Sequence, residues 1–89
     1  MRKEIREWIE KGDRKEALRL LEEELRRCPE DEEMLLLGGE LWYAEGKMAD
    51  ALNKFNALLR LNPSHRKATN YVTMINNILS YYCKDMYNP

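Results

Sequence analysis

An internal repeat with a period of 34 residues runs through the first two thirds of this 89-residue chain. Seven residues in 8–29 recur in step in 42–63: Trp8, Gly12, Ala17, Leu18, Leu25, Arg26 and Pro29 return as Trp42, Gly46, Ala51, Leu52, Leu59, Arg60 and Pro63. Unrelated segments of average composition would share roughly one or two such residues. Repeats of about 20–50 residues indicate units that bury their apolar face only by stacking on a neighbour. The period therefore predicts a helical repeat fold and a function based on surface contacts.

The apolar spacing predicts five helices. Apolar residues in four of the segments recur at intervals of three and four, which is typical of a buried helical face. The third segment is apolar nearly all round, as expected for a helix packed between neighbours. Gly12 and Gly46 should end the first and third helices, and Pro29 and Pro63 should follow the second and fourth. We expect the helices to run from Lys3 to Lys11, from Asp13 with its capping partner Glu16 to Pro29, from the acidic run 30–33 to Ala44, from Lys47 to Leu61, and from a Ser64 cap to Tyr82 or Lys84.

Two adjacent glycines, Gly38 and Gly39, interrupt the third predicted helix. Each costs about 1 kcal/mol relative to alanine inside a helix. We expect them to permit a close approach to a neighbouring backbone. A phosphate-binding loop is excluded because the other residues of that motif are absent.

The landmarks resemble those of the tetratricopeptide repeat family, and residues 32–65 match its pattern best. Ala51 and Phe55 reproduce the Ala-x3-Phe element of the second helix, and Pro63 closes the unit. Gly39 and Trp42 stand at the glycine and tyrosine landmarks of the first helix. The ending of the chain, 84–89, also resembles small stand-alone bacterial members, which implies a complete chain.

This resemblance implies a single all-α domain over 1–89, in which antiparallel helix pairs form an α-α superhelix. The first repeat would span about 1–31, with a shortened first helix, and the second about 32–65. The last segment, 66–89, would be a C-terminal capping helix and tail. Ser80 and Asp85 stand where a third repeat would need glycine and alanine.

In that family the first helix of each repeat lines a concave groove that receives a peptide or a partner helix. Carried over by position, the resemblance implies a groove with apolar anchors at Leu36, Tyr43 and Met74. Glu40 and Arg6 would set the orientation of the ligand. The full set of implied groove residues is Arg2, Arg6, Ile9, Glu10, Leu36, Glu40, Tyr43, Asn70, Met74 and Asn77.

The last predicted helix carries two apolar stripes, more than one neighbouring helix pair can cover. The first contains Ala68, Val72, Ile75, Leu79 and Tyr82; the second contains Tyr71, Met74, Ile78 and Tyr81. Either the tail folds back over this helix or another chain packs on it. If another chain does, the residues for self-association would be Tyr71, Ile78, Tyr81, Met86 and Tyr87.

Charge and composition narrow the function classes. With 15 basic and 16 acidic residues the net charge is −1, so the excess of positive charge that binds nucleic acid is missing. No stretch is apolar enough for a membrane span or a secretory leader. We therefore expect a cytoplasmic protein with neither nucleic-acid nor membrane partners.

Catalytic and metal-binding patterns are also missing. His65 is the only histidine, so no nucleophile, base and orienting group can be assembled, and we expect no enzyme activity and no cofactor. The acidic run 30–33 favours the positive end of a helix dipole over a metal site. Cys28 and Cys83 lack metal-ligand spacing; they are either two free thiols or one bridge.

The sequence thus predicts a non-enzymatic module that binds a peptide or helix of another protein in the groove. The alternative is a homodimeric structural protein assembled through its last helix and tyrosine-rich tail.

Overall fold

A computed structural model describes residues 2–82, and the side chains as far as Tyr81. These residues form an all-α array in which each helix packs against the next one along the chain in an antiparallel arrangement. The predicted order of five helices is confirmed, and their ends lie within about two residues of those expected. The helices are α1 (Arg2–Glu10), α2 (Arg14–Arg27), α3 (Glu32–Ala44), α4 (Met48–Leu61) and α5 (Arg66–Tyr82).

The turns between α1 and α2 and between α3 and α4 repeat each other. Gly12 and Gly46 have φ values of 83° and 77°, the left-handed region that glycine adopts without a Cβ clash. The amide of Asp13 donates to the Trp8 carbonyl at 2.9 Å, and the equivalent amide of Lys47 donates to the Trp42 carbonyl at 3.0 Å. These are the bonds of a Schellman motif, so the repeated Trp and Gly positions mark repeated helix ends.

The loops that follow α2 and α4 also repeat. The amides of Cys28 and Asn62 donate to the carbonyls of Glu24 and Leu58, each at 2.8 Å. Both loops thus close the preceding helix in the same way before the proline. The 34-residue period is therefore present in the backbone hydrogen bonds as well as in the sequence.

The cap of α5 differs from the predicted one. His65, not Ser64, occupies the N-cap position, and its Nδ1 accepts from the Ala68 amide at 3.1 Å. Ser64 instead donates its hydroxyl to Asn62 Oδ1 at 3.1 Å. The prediction of Ser64 as the cap was wrong because the repeat fixes the loop length: His65 lies one period after Asp31, the cap of α3.

The start of α4 has no side-chain cap. Asp13 and Asp31 each accept a hydrogen bond from an amide in the first turn of α2 and α3. Lys47, the equivalent residue before α4, makes no such bond. Its backbone angles, φ −91° and ψ 78°, nevertheless match those of Asp13, φ −97° and ψ 78°. The backbone of Lys47 therefore has the conformation of an N-cap residue, but its side chain has no oxygen to accept the hydrogen bond.

One apolar core runs through all five helices, with Phe55 as its largest fully buried side chain. Helix α5 contributes Ala68 and Ile75 from the first of its two predicted stripes. The buried core residues are Ile5, Ala17, Leu18, Leu20, Leu21, Leu25, Met34, Leu35, Leu41, Ala51, Phe55, Leu58, Ala68 and Ile75.

The glycine pair in α3 makes room for side chains. A Cβ at Gly39 would lie 2.4 Å from Phe55 Cε1, and one at Gly38 would lie 2.8 Å from Leu21 Cδ2. The expected approach of a neighbouring backbone was therefore wrong: α2 and α4 insert a leucine and a phenylalanine against the bare backbone of α3. The cost of two glycines in one helix is offset by this packing.

Within residues 2–82, no helix is both long enough and apolar enough to cross a bilayer. Cys28 is exposed and forms no disulfide. Cys83, and the proposed self-association residues Met86 and Tyr87, lie outside the described residues.

Candidate functional site

The predicted groove residues of α3 share one side of that helix. Leu36, Glu40 and Tyr43 are spaced by four and three residues, which places them in a row along the axis. All three are half-buried. Leu36 and Tyr43 rest on the apolar core while part of each side chain remains exposed. Glu33 lies three residues before Leu36 and extends the row toward the start of α3.

Helix α1 meets this row at its acidic end. Arg2 bonds both Asp31 and Glu33, and Arg6 Nη2 lies 2.7 Å from Glu33 Oε1. The hydrogen bond from Arg2 to Asp31, together with the charge of that carboxylate, raises the pKa of Arg2 above its usual value. Both arginines therefore hold α1 against α3 rather than projecting as unpaired cations.

The other two groove residues of α1 differ in exposure. Ile9 is half-buried and packs against the core, and Glu10 is exposed at the last residue of α1. The structure thus gives the α1 part of the predicted surface one apolar and several charged side chains.

Helix α5 meets the same row at Glu40. Tyr71 donates its hydroxyl to Glu40 Oε2 at 3.1 Å, and Lys67 Nζ lies 3.2 Å from the same oxygen. Glu40 therefore already has two partners within the chain. Its predicted role in setting the orientation of a ligand would require the ligand to displace one of them.

Tyr71 lies in a cluster of three aromatic rings. It stacks on Phe55 with the ring centroids 4.6 Å apart and meets Tyr43 edge-on at 5.5 Å. Removal from solvent, and then the hydrogen bond to Glu40, raise the pKa of the Tyr71 phenol. Tyr71 was proposed for self-association, and the structure places it mainly inside its own chain.

The remaining predicted residues of α5 differ in exposure. Asn70, Met74 and Asn77 are exposed, and Met74 retains 45% of its accessible surface. Of the self-association residues, Ile78 is half-buried and Tyr81 is 79% exposed. The exposed part of α5 is thus mixed in character, with two asparagines beside a methionine.

The contacts of α1 with α3 follow the same register as those of α3 with α5. Arg6 pairs with Glu33, 27 residues later, and Glu40 pairs with Lys67 at the same separation. Arg2 reaches Glu33 across 31 residues, and Glu40 reaches Tyr71 across 31. The first helices of successive units therefore lie side by side with a constant offset. Glu33 and Lys67, absent from the predicted groove, could have been found by searching for opposite charges at these separations.

A depression of about 600 Å³ adjoins the acidic end of this row. It is lined by Arg2 and by residues 28–33 of the loop and helix start between α2 and α3. Among residues 2–82, no group of three or more histidine, cysteine, aspartate and glutamate residues is arranged to hold a metal ion.

No model of a protein family matches the chain, and no curated protein matches its sequence.

Proposed function

We propose that this chain is a tetratricopeptide-like interaction module without catalytic activity. It would bind an extended segment or a helix of another protein along the row formed by α1, α3 and α5. Three features support this proposal: the 34-residue period of the turns and loops, the constant offset between the first helices, and the glycine at the tetratricopeptide landmark that packs on Phe55. In such a module, continuation of the same offset would give the array the curvature of a superhelix.

The observation that carries the proposal is the apolar strip beside polar side chains that can bond a peptide backbone. Leu36 and Tyr43 are partly exposed on α3, and Met74 is exposed on the adjoining side of α5. Asn70 and Asn77 lie four residues before and three residues after Met74, on the same helical face. Apolar anchors beside side-chain amides suit the recognition of a peptide by its side chains and its backbone together.

In this proposal Arg6 and Glu40 contribute less to ligand orientation than the resemblance implies. Arg6 and Glu40 are neutralised by Glu33 and Lys67, so they contribute less to ligand orientation than isolated charges would. Binding would depend mainly on the apolar anchors, with the asparagines fixing the direction of the ligand.

The test is selection of peptides from a random library displayed on phage, followed by affinity measurements with purified variants. Met74→Glu with Asn77→Glu should weaken binding of a selected peptide at least tenfold, because it places two carboxylates in the strip. Thr69→Glu with Asn76→Glu adds the same charge to exposed positions on another face of α5 and should change binding less than twofold. The proposed site would be refuted if both pairs of substitutions weakened peptide binding equally, or if no peptide could be selected from the library.

Self-association through α5 is the second candidate. It is favoured by the exposure of Tyr81 and Met74, both large apolar side chains on the last described helix. Sedimentation equilibrium from micromolar to millimolar concentration should then show a dimer that Tyr81→Lys dissociates. A monomer throughout that range would rule out a stable homodimer.

A further inference from the structure

A second apolar depression lies between α2 and the end of α3. Its volume is about 470 Å³, within the range of about 300–1,000 Å³ usual for binding pockets. Leu18 of α2 and Trp42 of α3 line it, and Lys47 closes it at the start of α4. No residue of the proposed groove lines this depression, so an occupant here would not compete directly for the α1–α3–α5 row. We call it the Trp42 pocket.

The repeat itself shows why Trp42 is open to a ligand. Its counterpart Trp8 lies under the ammonium of Lys11, with Nζ 4.8 Å from the ring centroid. One period later Glu45 replaces Lys11, and Glu45 Oε2 instead accepts from Arg14 Nε at 2.9 Å. The indole of Trp42 therefore has no covering cation from its own helix end. It remains half-buried and forms one wall of the pocket.

The charges around the pocket leave an excess of positive charge. Both acidic residues in its lining are engaged: Glu45 by Arg14, and Glu22 by Lys54, with Nζ 2.8 Å from Oε1. Arg19, also in the lining, is neutralised by ion pairs within its own helix. Lys15 and Lys47 are exposed, and among the described residues neither has an ion-pair partner. The apolar walls are thus flanked by two cations that lack a counter-charge.

We propose that the Trp42 pocket docks a partner protein through a large apolar side chain flanked by acidic residues. The apolar side chain, aromatic or aliphatic, would pack on Trp42 and Leu18. Carboxylates on either side of it would pair with Lys15 and Lys47. This complementarity of charge selects an acidic segment and disfavours a basic one, since a basic segment would bring like charges together.

The test uses synthetic pentapeptides and the two tryptophans as internal reporters. The probe is Glu-Glu-Phe-Glu-Glu, and the controls are Glu-Glu-Ala-Glu-Glu, which lacks the anchor, and Lys-Lys-Phe-Lys-Lys, which reverses the charge. Each is titrated into the ¹⁵N-labelled protein, and the two indole N–H resonances are followed after assignment with Trp8→Phe and Trp42→Phe. The probe should shift the Trp42 signal saturably and leave the Trp8 signal in place. Both controls should bind at least tenfold more weakly, and binding of the probe should weaken as salt is added.

Charge variants locate the flanking contacts. Lys15→Glu with Lys47→Glu should weaken binding of the probe at least tenfold. Lys3→Glu with Arg66→Glu is the matched control: it makes the same charge change in the first turns of α1 and α5, outside the pocket, and should alter affinity less than twofold. If circular dichroism shows that Lys15→Glu with Lys47→Glu unfolds the protein, the neutral pair Lys15→Gln with Lys47→Gln is measured instead. It should weaken binding of the probe at least threefold.

Several results would overturn the inference. They are equal shifts of both indoles, binding of the basic peptide as tight as that of the acidic one, or probe affinity unaffected by the changes at Lys15 and Lys47. Met74→Glu with Asn77→Glu should leave this binding unchanged. Failure of the groove proposal and failure of the pocket proposal can therefore be told apart.

Discussion

Phe55 of α4 lies between Gly39 of α3 and the ring of Tyr71 of α5, so one side chain connects three helices. Tyr71 in turn donates to Glu40, back on α3. At the scale of single residues, the predicted recognition row and the core are therefore not separate. Changes at Glu40 or Tyr71 would affect stability and ligand binding together, whereas Met74 and Asn77 can be changed with little effect on packing.

Gly39→Ala tests the contact at the centre of this cluster. Alanine would favour the helix by about 1 kcal/mol, but its Cβ would overlap a fully buried ring held on its other face by Tyr71. We expect the cost of overpacking, about 1–3 kcal/mol or more, to outweigh this gain and to lower the free energy of unfolding, as measured by urea titration. Gly38→Ala is the matched control and should cost less, because its Cβ would meet only the end of the Leu21 side chain. A Gly39→Ala protein as stable as the parent would contradict the packing described.

Tyr71 should also make stability depend on alkaline pH. Its pKa is raised in the folded chain above the value of about 10 for an unfolded tyrosine, so the neutral phenol stabilises the fold. That stabilisation is complete below about pH 10 and is lost as the pH rises through the raised pKa. The free-energy difference between the parent and Tyr71→Phe should therefore shrink as the pH rises above about 10.

Ultraviolet absorbance of the phenolates provides the direct measurement. The parent should show a late phenolate step above about pH 10, and Tyr71→Phe should remove that late step. Tyr81→Phe, which deletes an exposed hydroxyl on the same helix, is the control and should leave the late step in place. A late step that survives in Tyr71→Phe would assign it to another residue.

At the scale of elements, the two kinds of connection differ in how far the sequence specifies them. The turns after α1 and α3 need a residue at positive φ, and the glycines that supply it can be identified from the sequence. The loops after α2 and α4 depend on which residue the period places at the N-cap. Histidine is less common than serine at N-cap positions, and this preference led to the wrong prediction of Ser64 as the cap of α5. Alignment of the loops one period apart identifies His65 directly.

Lys47→Asp should stabilise α4 because the backbone at this position already has the angles of a capped start. An aspartate oxygen would accept an amide of the first turn, as Asp13 does for α2. We expect a gain of about 0.5–2 kcal/mol in the free energy of unfolding. Lys47→Ala, which removes the charge without supplying an acceptor, is the control. No difference between the two variants would show that the start of α4 does not accept a side-chain cap.

His65→Ala should have the opposite effect on α5. It removes the Nδ1 acceptor of the Ala68 amide and should lower the free energy of unfolding by about 0.5–2 kcal/mol. Ser64→Ala should change stability by less than about 0.5 kcal/mol, because Ser64 bonds only Asn62 within the loop. Thermal unfolding of both variants measures the difference, and a larger loss from Ser64→Ala would restore serine as the cap.

At the scale of the whole molecule, the helices pack in chain order. Stability in such an array is close to a sum of units and neighbour interfaces, so the ends can open while the centre remains folded. Helices α2, α3 and α4 each pack against two neighbouring helices, whereas α1 and α5 are terminal within the described residues. The proposed recognition row therefore includes the two least supported helices, and a ligand that bridges them would stabilise the array by mass action.

Amide hydrogen exchange can test this linear arrangement. Ile75→Ala removes a buried side chain from α5 and should accelerate exchange in α5 far more than in α1 and α2. Phe55→Ala removes the central ring and should accelerate exchange in all five helices. Equal acceleration everywhere in Ile75→Ala would show that the chain unfolds as one cooperative unit.

The sequence alone was sufficient for the all-α class, the five helices and their order, because the 3.6-residue periodicity, glycine and proline are local signals. The period of 34 also fixed which positions are equivalent, and so where the turns repeat. It did not reveal that Gly39 receives Phe55, that Tyr71 stacks on the same ring, or that Arg6 and Glu40 are already paired.

Those facts depend on which helix faces meet, and the tertiary structure decided them. The offset between neighbouring helices determines whether a charged or aromatic side chain is covered by its own chain or left to a ligand. Trp8 and Trp42 illustrate the difference. They are identical in the repeat, yet one lies under Lys11 and the other lines a pocket. Glu45 stands one period after Lys11, and only the tertiary structure shows that it pairs with Arg14 of the preceding unit.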